Sequence, residues 1–288
     1  MSGIKNLIRR ILRATFSKES VIHFLKRVAH LFSIDLLPVA LNQRGILNYS
    51  TPAISGELYF VNSFLPSLFP EANRKLVFLD VGANQGNYSI LLSSQFPEAR
   101  IFAFEPNPTA YQKLVESFKG AENDRANIYP VPLGLGSTPE SKTMFSYSDD
   151  PSSEHASVHK GVFSDSNKLK SVVAIDTEFT TLDSFCEMKQ FDCIDLLKID
   201  TEGHEYEVLK GSARMLNNGS IRVIQFEFGE CNVYSRVFLK DFYDLLQGYE
   251  FYRLGSNRLI PLRTHSAINE IFQFQNIVAV NAKWSHLV

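Results

Sequence analysis

This sequence lacks the features that would announce most special classes of protein. Its three cysteines, Cys186, Cys193 and Cys231, have no metal-ligand spacing, which argues against a zinc ribbon and predicts reduced thiols in a cytoplasmic protein. There is no uncharged apolar run of about 18 residues, and 31–41 is cut by Asp35, so neither a spanning helix nor a secretory signal is expected. A net charge of −2 gives no sign of a polyanionic partner, and no nucleic-acid module or basic crevice is recognisable, so nucleic acid is not expected as a partner. There are no internal repeats. Nor does the chain carry the G-x-G-x-x-G turn by which dinucleotide enzymes hold a pyrophosphate.

What is present is enough for one large core: 288 residues with 44% hydrophobic content. The charge is uneven. Residues 1–50 hold eight Lys or Arg against Glu19 and Asp35, a local +6 that leaves −8 of the total −2 on the remainder. We therefore expect a basic helical extension over 1–50 and a main domain over 51–288. Ile4, Leu7, Ile8, Ile11 and Leu12 share one helical face, with Lys5, Arg9, Arg10 and Arg13 largely on the rest, a pattern typical of helices lying on anionic membranes. A helix capping the main domain has the same pattern, and residues 1–18 contain no acid, as in a transit peptide. Peripheral membrane contact through residues 1–30 is thus one of three open readings.

From residue 51 onward, strand-like and helix-like segments alternate, which predicts a doubly wound, mostly parallel α/β sheet. A helix is expected over 57–69, then strands at 76–79, around 102–105, 128–133, 194–199 and 221–226, and a closing antiparallel pair at 249–254 and 276–280. A helix should start at Asn107-Pro108, use Leu114, Val115 and Phe118 as its apolar face, and stop at Gly120. Residues 137–171 are polar, with alternating stretches at 142–147 and 172–176. They read as an insertion carrying a hairpin, the expected lid or substrate-facing piece.

The chemistry is concentrated where strands end. Val77-Phe78-Leu79-Asp80-Val81-Gly82-Ala83-Asn84-Gln85-Gly86-Asn87-Tyr88 runs from an apolar strand into a glycine-bearing turn and a helix start, and the second strand ends in Glu105, where such folds bind ribose hydroxyls. Gly82 can take angles closed to other residues, and Gly86, lacking a Cβ, would let a ligand lie against the main chain. Asp80 at the mouth of this loop would repel a pyrophosphate and favour a ligand with an amino group and a sulfonium, a description that S-adenosylmethionine fits. Asp200 and Glu227 end the fourth and fifth strands and are expected to point into the same crevice, where together they could share a divalent metal; two carboxylates alone do not make a metal site.

These segments, with Phe104-Glu105-Pro106-Asn107, Thr181-Leu182-Asp183, Leu197-Lys198-Ile199-Asp200-Thr201-Glu202-Gly203-His204-Glu205 and Val208-Leu209-Lys210-Gly211, resemble the FkbM family of S-adenosylmethionine-dependent methyltransferases over residues 75–280. The resemblance implies the class I methyltransferase (Rossmann-like) fold, a seven-stranded sheet with one antiparallel strand, and methylation of a hydroxyl oxygen on a small molecule, sugar or glycan-like acceptor. It implies that the cofactor is held by Asp80, Gly82, Ala83, Asn84, Gly86, Asn87 and Tyr88 around its methionine end, by Glu105, Pro106 and Asn107 at its ribose, by Leu133 and Gly134 at its adenine, and by Asp200. The candidate catalytic residues are Asp200 and Glu202 as bases for the acceptor hydroxyl. His204 is a further base, although the helix after it would place it on an exposed first turn. A non-catalytic module that binds S-adenosylmethionine is the alternative, and a nicotinamide-dependent oxidoreductase is a more distant one. A dehydrogenase would be expected to carry a Tyr-x-x-x-Lys or an equivalent acid–base pair, and no such pair is expected in this chain.

Overall fold

The computed structural model describes residues 17–70, 75–119, 127–148, 156–163 and 171–284. The expected helix through Ile4 to Arg13 and the stop at Gly120 lie outside them. The chain divides into two compact units, Met1–Gln43 and Arg44–Val288. Residues 44–50 join the second unit: Ile46 is fully buried and bridges to Gln275, and the Leu47 amide donates to the Phe274 carbonyl at 2.8 Å. Among the described residues, no helix is long and apolar enough to cross a membrane.

The first unit contains α1 (Lys18–Leu31), capped by Ser17 accepting from the Ser20 amide, and α2 (Leu36–Asn42), capped by Asp35 accepting from the Leu37 amide. The second begins with short helical pieces whose expected run over 57–69 is interrupted by a wide π-turn, Phe60–Phe64. Phe60, Val61, Phe64, Leu65 and Leu68 from this stretch are buried in the core.

The sheet follows from apolar runs too short for helices. In chain order come β1 (Val77–Val81), α3 (Asn87–Gln95), β2 (Arg100–Phe104), α4 (Pro108–Lys119) and β3 (Ile128–Val131). Then come β4 (Gly134–Leu135), β5 (Glu140–Tyr147), β6 (Val172–Thr180), α5 (Leu182–Lys189), β7 (Ile194–Ile199), α6 (Glu205–Lys210), β8 (Ile221–Phe228), α7 (Leu239–Leu245), β9 (Tyr249–Gly255), β10 (Arg258–Pro261) and β11 (Gln275–Asn281). The large sheet has the order β10-β9-β11-β8-β7-β1-β2-β3, parallel from β8 through β3 and antiparallel across β11, β9 and β10. Every residue of β1, β7 and β11 is buried, as strands covered on both faces must be.

This is the expected doubly wound class, with one difference. The sheet has eight strands and two run against the parallel set, because β10 folds back on β9 as an edge hairpin. The missed strand is short and half-exposed, so its sequence carries little alternation. β3 stops at Val131, before Pro132, so Leu133 lies beyond the strand and Gly134 opens β4. Pro130 sits within β3 and is tolerated there because β3 is an edge strand. The insertion does contain the expected hairpin: β5 pairs antiparallel with β6, from Glu140 opposite Phe179 to Tyr147 opposite Val172, and β4 completes a second, three-stranded sheet.

The strand order reverses at β1. From it the chain proceeds outward through β2 and β3, then returns to place β7 on β1's other side. The loops leaving β1 and β7 therefore diverge and leave a crevice at their carboxyl ends, the position where open α/β sheets bind ligands.

Candidate active site

A cavity of about 550 Å³, counting its open mouth, occupies that crevice. Its floor is the loop after β1. The Gly82 and Ala83 amides both donate to the Phe104 carbonyl, and the Asp200 amide donates to the Val81 carbonyl, so the ends of β1, β2 and β7 are tied together. Glu105 completes the tie: one carboxylate oxygen accepts from the Asn84 amide at 2.9 Å and the other from the Asn107 amide at 2.8 Å. Asn107 in turn accepts from the Thr109 amide and caps α4. Burial, working against these two bonds, raises the Glu105 carboxyl to about 7.

The glycines of the loop are required for packing. Gly82 has φ +79°, and a Cβ there would collide with the Asp200 carbonyl. Gly86 has φ +85°, and a Cβ would meet Leu114 and Phe118 of α4 at 2.7 Å. The open side expected at Gly86 is therefore filled by protein. Left-handed backbone and the approach of neighbouring elements account for both residues.

Asp80 lies beneath the loop, not at its mouth. It is fully buried, accepts from the Ser89 hydroxyl at 2.7 Å and faces the Lys198 ammonium at 3.2 Å. Lys198, on the neighbouring strand β7 and itself buried, also reaches Asp200 at 3.3 Å and lies 5.2 Å over the Tyr88 ring. Burial alone would lower the lysine, but Asp200, Asp80 and Glu57 outweigh it and hold the ammonium above its ordinary range. Tyr88 points into the same buried layer, its hydroxyl 2.5 Å from Gln225 Oε1. Ala83 is buried in the core and Asn87 is exposed at the start of α3. Of the residues expected around the cofactor, Gly82, Asn84, Glu105, Pro106, Leu133, Gly134 and Asp200 line the cavity. Asp80, Ala83, Gly86, Tyr88 and Asn107 are buried and do not line it, and neither does the exposed Asn87.

The turn after β7 brings the acids together. Glu205, at the start of α6, accepts through Oε1 from the Thr201 amide, the Thr201 hydroxyl and the Gly203 amide, so the turn is wrapped around its carboxylate. Its other oxygen, Oε2, is buried without a hydrogen bond, and burial raises the group to about 7. Glu202 holds φ +53°, a strained angle for a non-glycine residue, and its carboxylate lies 3.0 Å from Cys231 Sγ. Glu227 is half-buried near the end of β8, raised well above the carboxylate range by burial and by Asp200, Glu202 and Glu205. The Asp200 side chain is 37% exposed. Among the described residues, no group of three or more His, Cys, Asp or Glu is arranged to hold a metal.

His204 departs from its expected place. It is only 4% exposed, lines the cavity and meets Phe179 of β6 edge-on with ring centroids 5.5 Å apart. Burial first, and Lys142 second, lower it to about 3, so the ring is neutral, and Nε2 has no hydrogen-bond partner. Sequence reasoning put it on an exposed turn because the packing of β6 over the start of α6 has no local signal. The same limit hid Met144, Ala156 and Val158 of the insertion and Phe179 of β6 beyond it, which form the cavity roof. Ser157 and His159 fasten that roof to the turn: the Ser157 hydroxyl donates to the Glu202 carbonyl at 2.8 Å and His159 Nε2 lies 3.2 Å from the Gly203 carbonyl.

Contrary to the expectation that no such pair is present, a Tyr-x-x-x-Lys spacing does occur, at Tyr206 and Lys210 on α6. Tyr206 packs edge-on against Phe242 and Lys210 pairs with Glu207 at 2.7 Å; neither lines the cavity. Thr181 and Asp183 are structural: Thr181 caps α5, and the Asp183 carboxylate accepts from the Arg214 and Met215 amides.

Comparison with known proteins adds the following. The family model described as the methyltransferase FkbM domain matches residues 80–253. The chain is 30% identical over 162 residues to the hexuronic acid methyltransferase AglP of Haloferax volcanii, a match covering 56% of this chain and 60% of that protein. It is 27% identical over 184 residues to the 2-O-methyltransferase NoeI of Sinorhizobium fredii, covering 60% of this chain and 72% of that one. A crystal structure of an FkbM methyltransferase from Methylobacillus flagellatus aligns with a TM-score of 0.43 at 14% identity, covering 75% of this chain and 47% of the other.

Proposed function

The chain belongs to the FkbM methyltransferase family, and from that membership and the shape of the cavity we propose that it is an S-adenosylmethionine-dependent O-methyltransferase acting on a hydroxyl of a sugar, glycan-like or other small acceptor. The observation that carries this reading is the pairing within one cavity of a buried strand-end carboxylate, Glu105, with a second set of acids, Asp200 and Glu202. The residues fit the cofactor by their chemistry. Glu105 is placed to accept from ribose hydroxyls, Leu133, Leu135 and Phe179 offer apolar surface to an adenine, and the acidic side balances a cation. Bound there, S-adenosylmethionine would supply an electrophilic methyl group.

The protein's own part is to position the acceptor and remove its proton. Asp200 and Glu202 are the bases for that step: both line the cavity, and Asp200 is accessible. Such a base contributes roughly 10²- to 10⁴-fold. His204 lines the same cavity with Nε2 free of a partner, but burial lowers its affinity for a proton, which makes it the weakest of the three expected bases. The apolar roof contributed by the insertion would exclude water and shape acceptor choice. AglP and NoeI are named for a hexuronic acid and a 2-O position, which supports a sugar hydroxyl as acceptor. Nucleic acid is not part of this reading, which places the enzyme in the cytoplasm with room for peripheral contact at a membrane. A shared metal at Asp200 and Glu227 is tested by dialysis against EDTA, which leaves turnover unchanged if no metal is used.

Calorimetry with S-adenosylmethionine, S-adenosylhomocysteine and NAD tests the cofactor. The adenosyl compounds are expected to bind, and Glu105→Ala to weaken them about ten- to a hundredfold, the worth of a hydrogen bond to a charged group. Tight NAD binding, or unchanged affinity in Glu105→Ala, would overturn the assignment. Comparing metabolites of wild-type and deletion strains for products lighter by one methyl group tests the reaction itself.

A further inference from the structure

The N-terminal unit inverts the burial pattern of the main one. Among the described residues of 17–43 only Ala29 is buried, and ten of the eighteen exposed large hydrophobic side chains of the described chain fall between Val21 and Val39. They are ordered. On α1, Phe24 and Leu25 follow Val21 at spacings of three and four, and Leu31 follows Phe24 by seven, two turns on, so the four share one side, while His23, Lys26, Arg27 and His30 occupy the other. The chain then turns through Phe32 and Ser33, the latter at φ +52°, and enters α2 with Leu37 outward. Phe24, Leu31, Phe32 and Leu37 are each more than 60% exposed.

The charge has the complementary bias. Residues 1–43 carry seven Lys or Arg against Glu19 and Asp35, a net +5 that leaves −7 of the chain's total −2 on the rest. Self-association or an apolar protein partner would cover the hydrophobic side but would make no use of this basic excess, which includes four basic and no acidic residues before Ser17. A bilayer with anionic headgroups uses both.

We propose that residues 17–43 form an interfacial anchor for an anionic lipid bilayer. α1 lies in the plane of the headgroups with Val21, Phe24 and Leu25 toward the acyl chains and Lys26 and Arg27 toward the lipid charges, and the apolar turn at Leu31 and Phe32 enters beside it. A single short helix of this kind binds reversibly, so the enzyme would sample a membrane without being fixed to it.

Co-sedimentation of the full chain with vesicles tests this, using phosphatidylcholine alone and phosphatidylcholine with a minority of phosphatidylglycerol. The protein is expected to pellet with the anionic vesicles, less at high salt, and poorly with the neutral ones. Lys26→Ser with Arg27→Ser should weaken pelleting about tenfold, and Phe24→Glu with Leu25→Glu at least as much. All four side chains are exposed, so the variants should keep the wild-type unfolding midpoint, which serves as the folding control. No pelleting with anionic vesicles, equal pelleting with both kinds, or wild-type pelleting of the Phe24→Glu, Leu25→Glu variant would each overturn the proposal. So would light scattering that shows a dimer dispersed by those same changes.

Discussion

The floor and the roof of the cavity are built by opposite means. The floor is backbone hydrogen bonding around buried charge: the amides of Gly82, Ala83, Asn84 and Asn107 are all engaged, Glu105 closes the loop, and Asp80 and Lys198 neutralise each other beneath it. The roof is apolar contact on a separate sheet, with Phe179 against His204 and two hydrogen bonds, from Ser157 and His159, to the turn below. A floor of this kind tolerates little change, because each buried polar group left unpaired costs about 1–3 kcal/mol. A roof of packed side chains can be re-cut one residue at a time, which is where a family with many acceptors would vary.

The largest effect that would break this contrast is in the buried pair. Lys198→Met takes the buried Asp80 carboxylate's countercharge away, and we expect a loss of about 3–5 kcal/mol in urea unfolding, partly restored by adding Asp80→Asn. A loss under about 1 kcal/mol would mean that the floor does not depend on that charge. Next, Asp200→Asn should lower turnover by roughly 10²- to 10⁴-fold while changing S-adenosylmethionine affinity far less. Equal losses in the two would move Asp200 from the acceptor to the cofactor.

A smaller effect concerns pH. The Glu205 carboxyl is raised to about 7, chiefly by burial, above its ordinary 4.5, so its protonated form favours the fold. That contribution is complete below about 4.5 and is lost as pH rises through about 7, a difference of roughly 3 kcal/mol. Glu205→Gln keeps an acceptor for Thr201 and Gly203 and should flatten the fall in urea stability between about pH 5 and 8. An unchanged slope would assign the fall to other groups. The smallest expected effect is at Tyr206→Phe, outside both floor and roof, where turnover should stay within about 0.5 kcal/mol of wild type. A collapse there would mean that α6 contributes to the site although Tyr206 does not line the cavity.

How legible the site is depends on how local its causes are. The run Val77-Phe78-Leu79, the Asn107 cap and the alternation in β5 and β6 are statements about neighbours in sequence, and the structure has each of them in place. The partner of Asp80 is Lys198, set opposite it by the pairing of β1 with β7, and no local pattern announces that an acid will meet a lysine from so far along the chain. For the same reason the acid was expected at the loop mouth. Gly86 could be read as special, but the reason for it, Leu114 and Phe118 packed against its bare Cα, belongs to a different helix. His204 was misplaced because a helix start looks exposed until something is laid over it.

The prolines at the margins of the large sheet have a consequence of their own. β3 carries Pro130 on one edge and β10 ends at Pro261 on the other. Neither ring nitrogen has a hydrogen to offer, so a strand from a neighbouring molecule that docked at either rim would find a gap in its ladder. For a chain with this many phenylalanines, such blunted rims guard against fibrous aggregation while it is newly made and crowded.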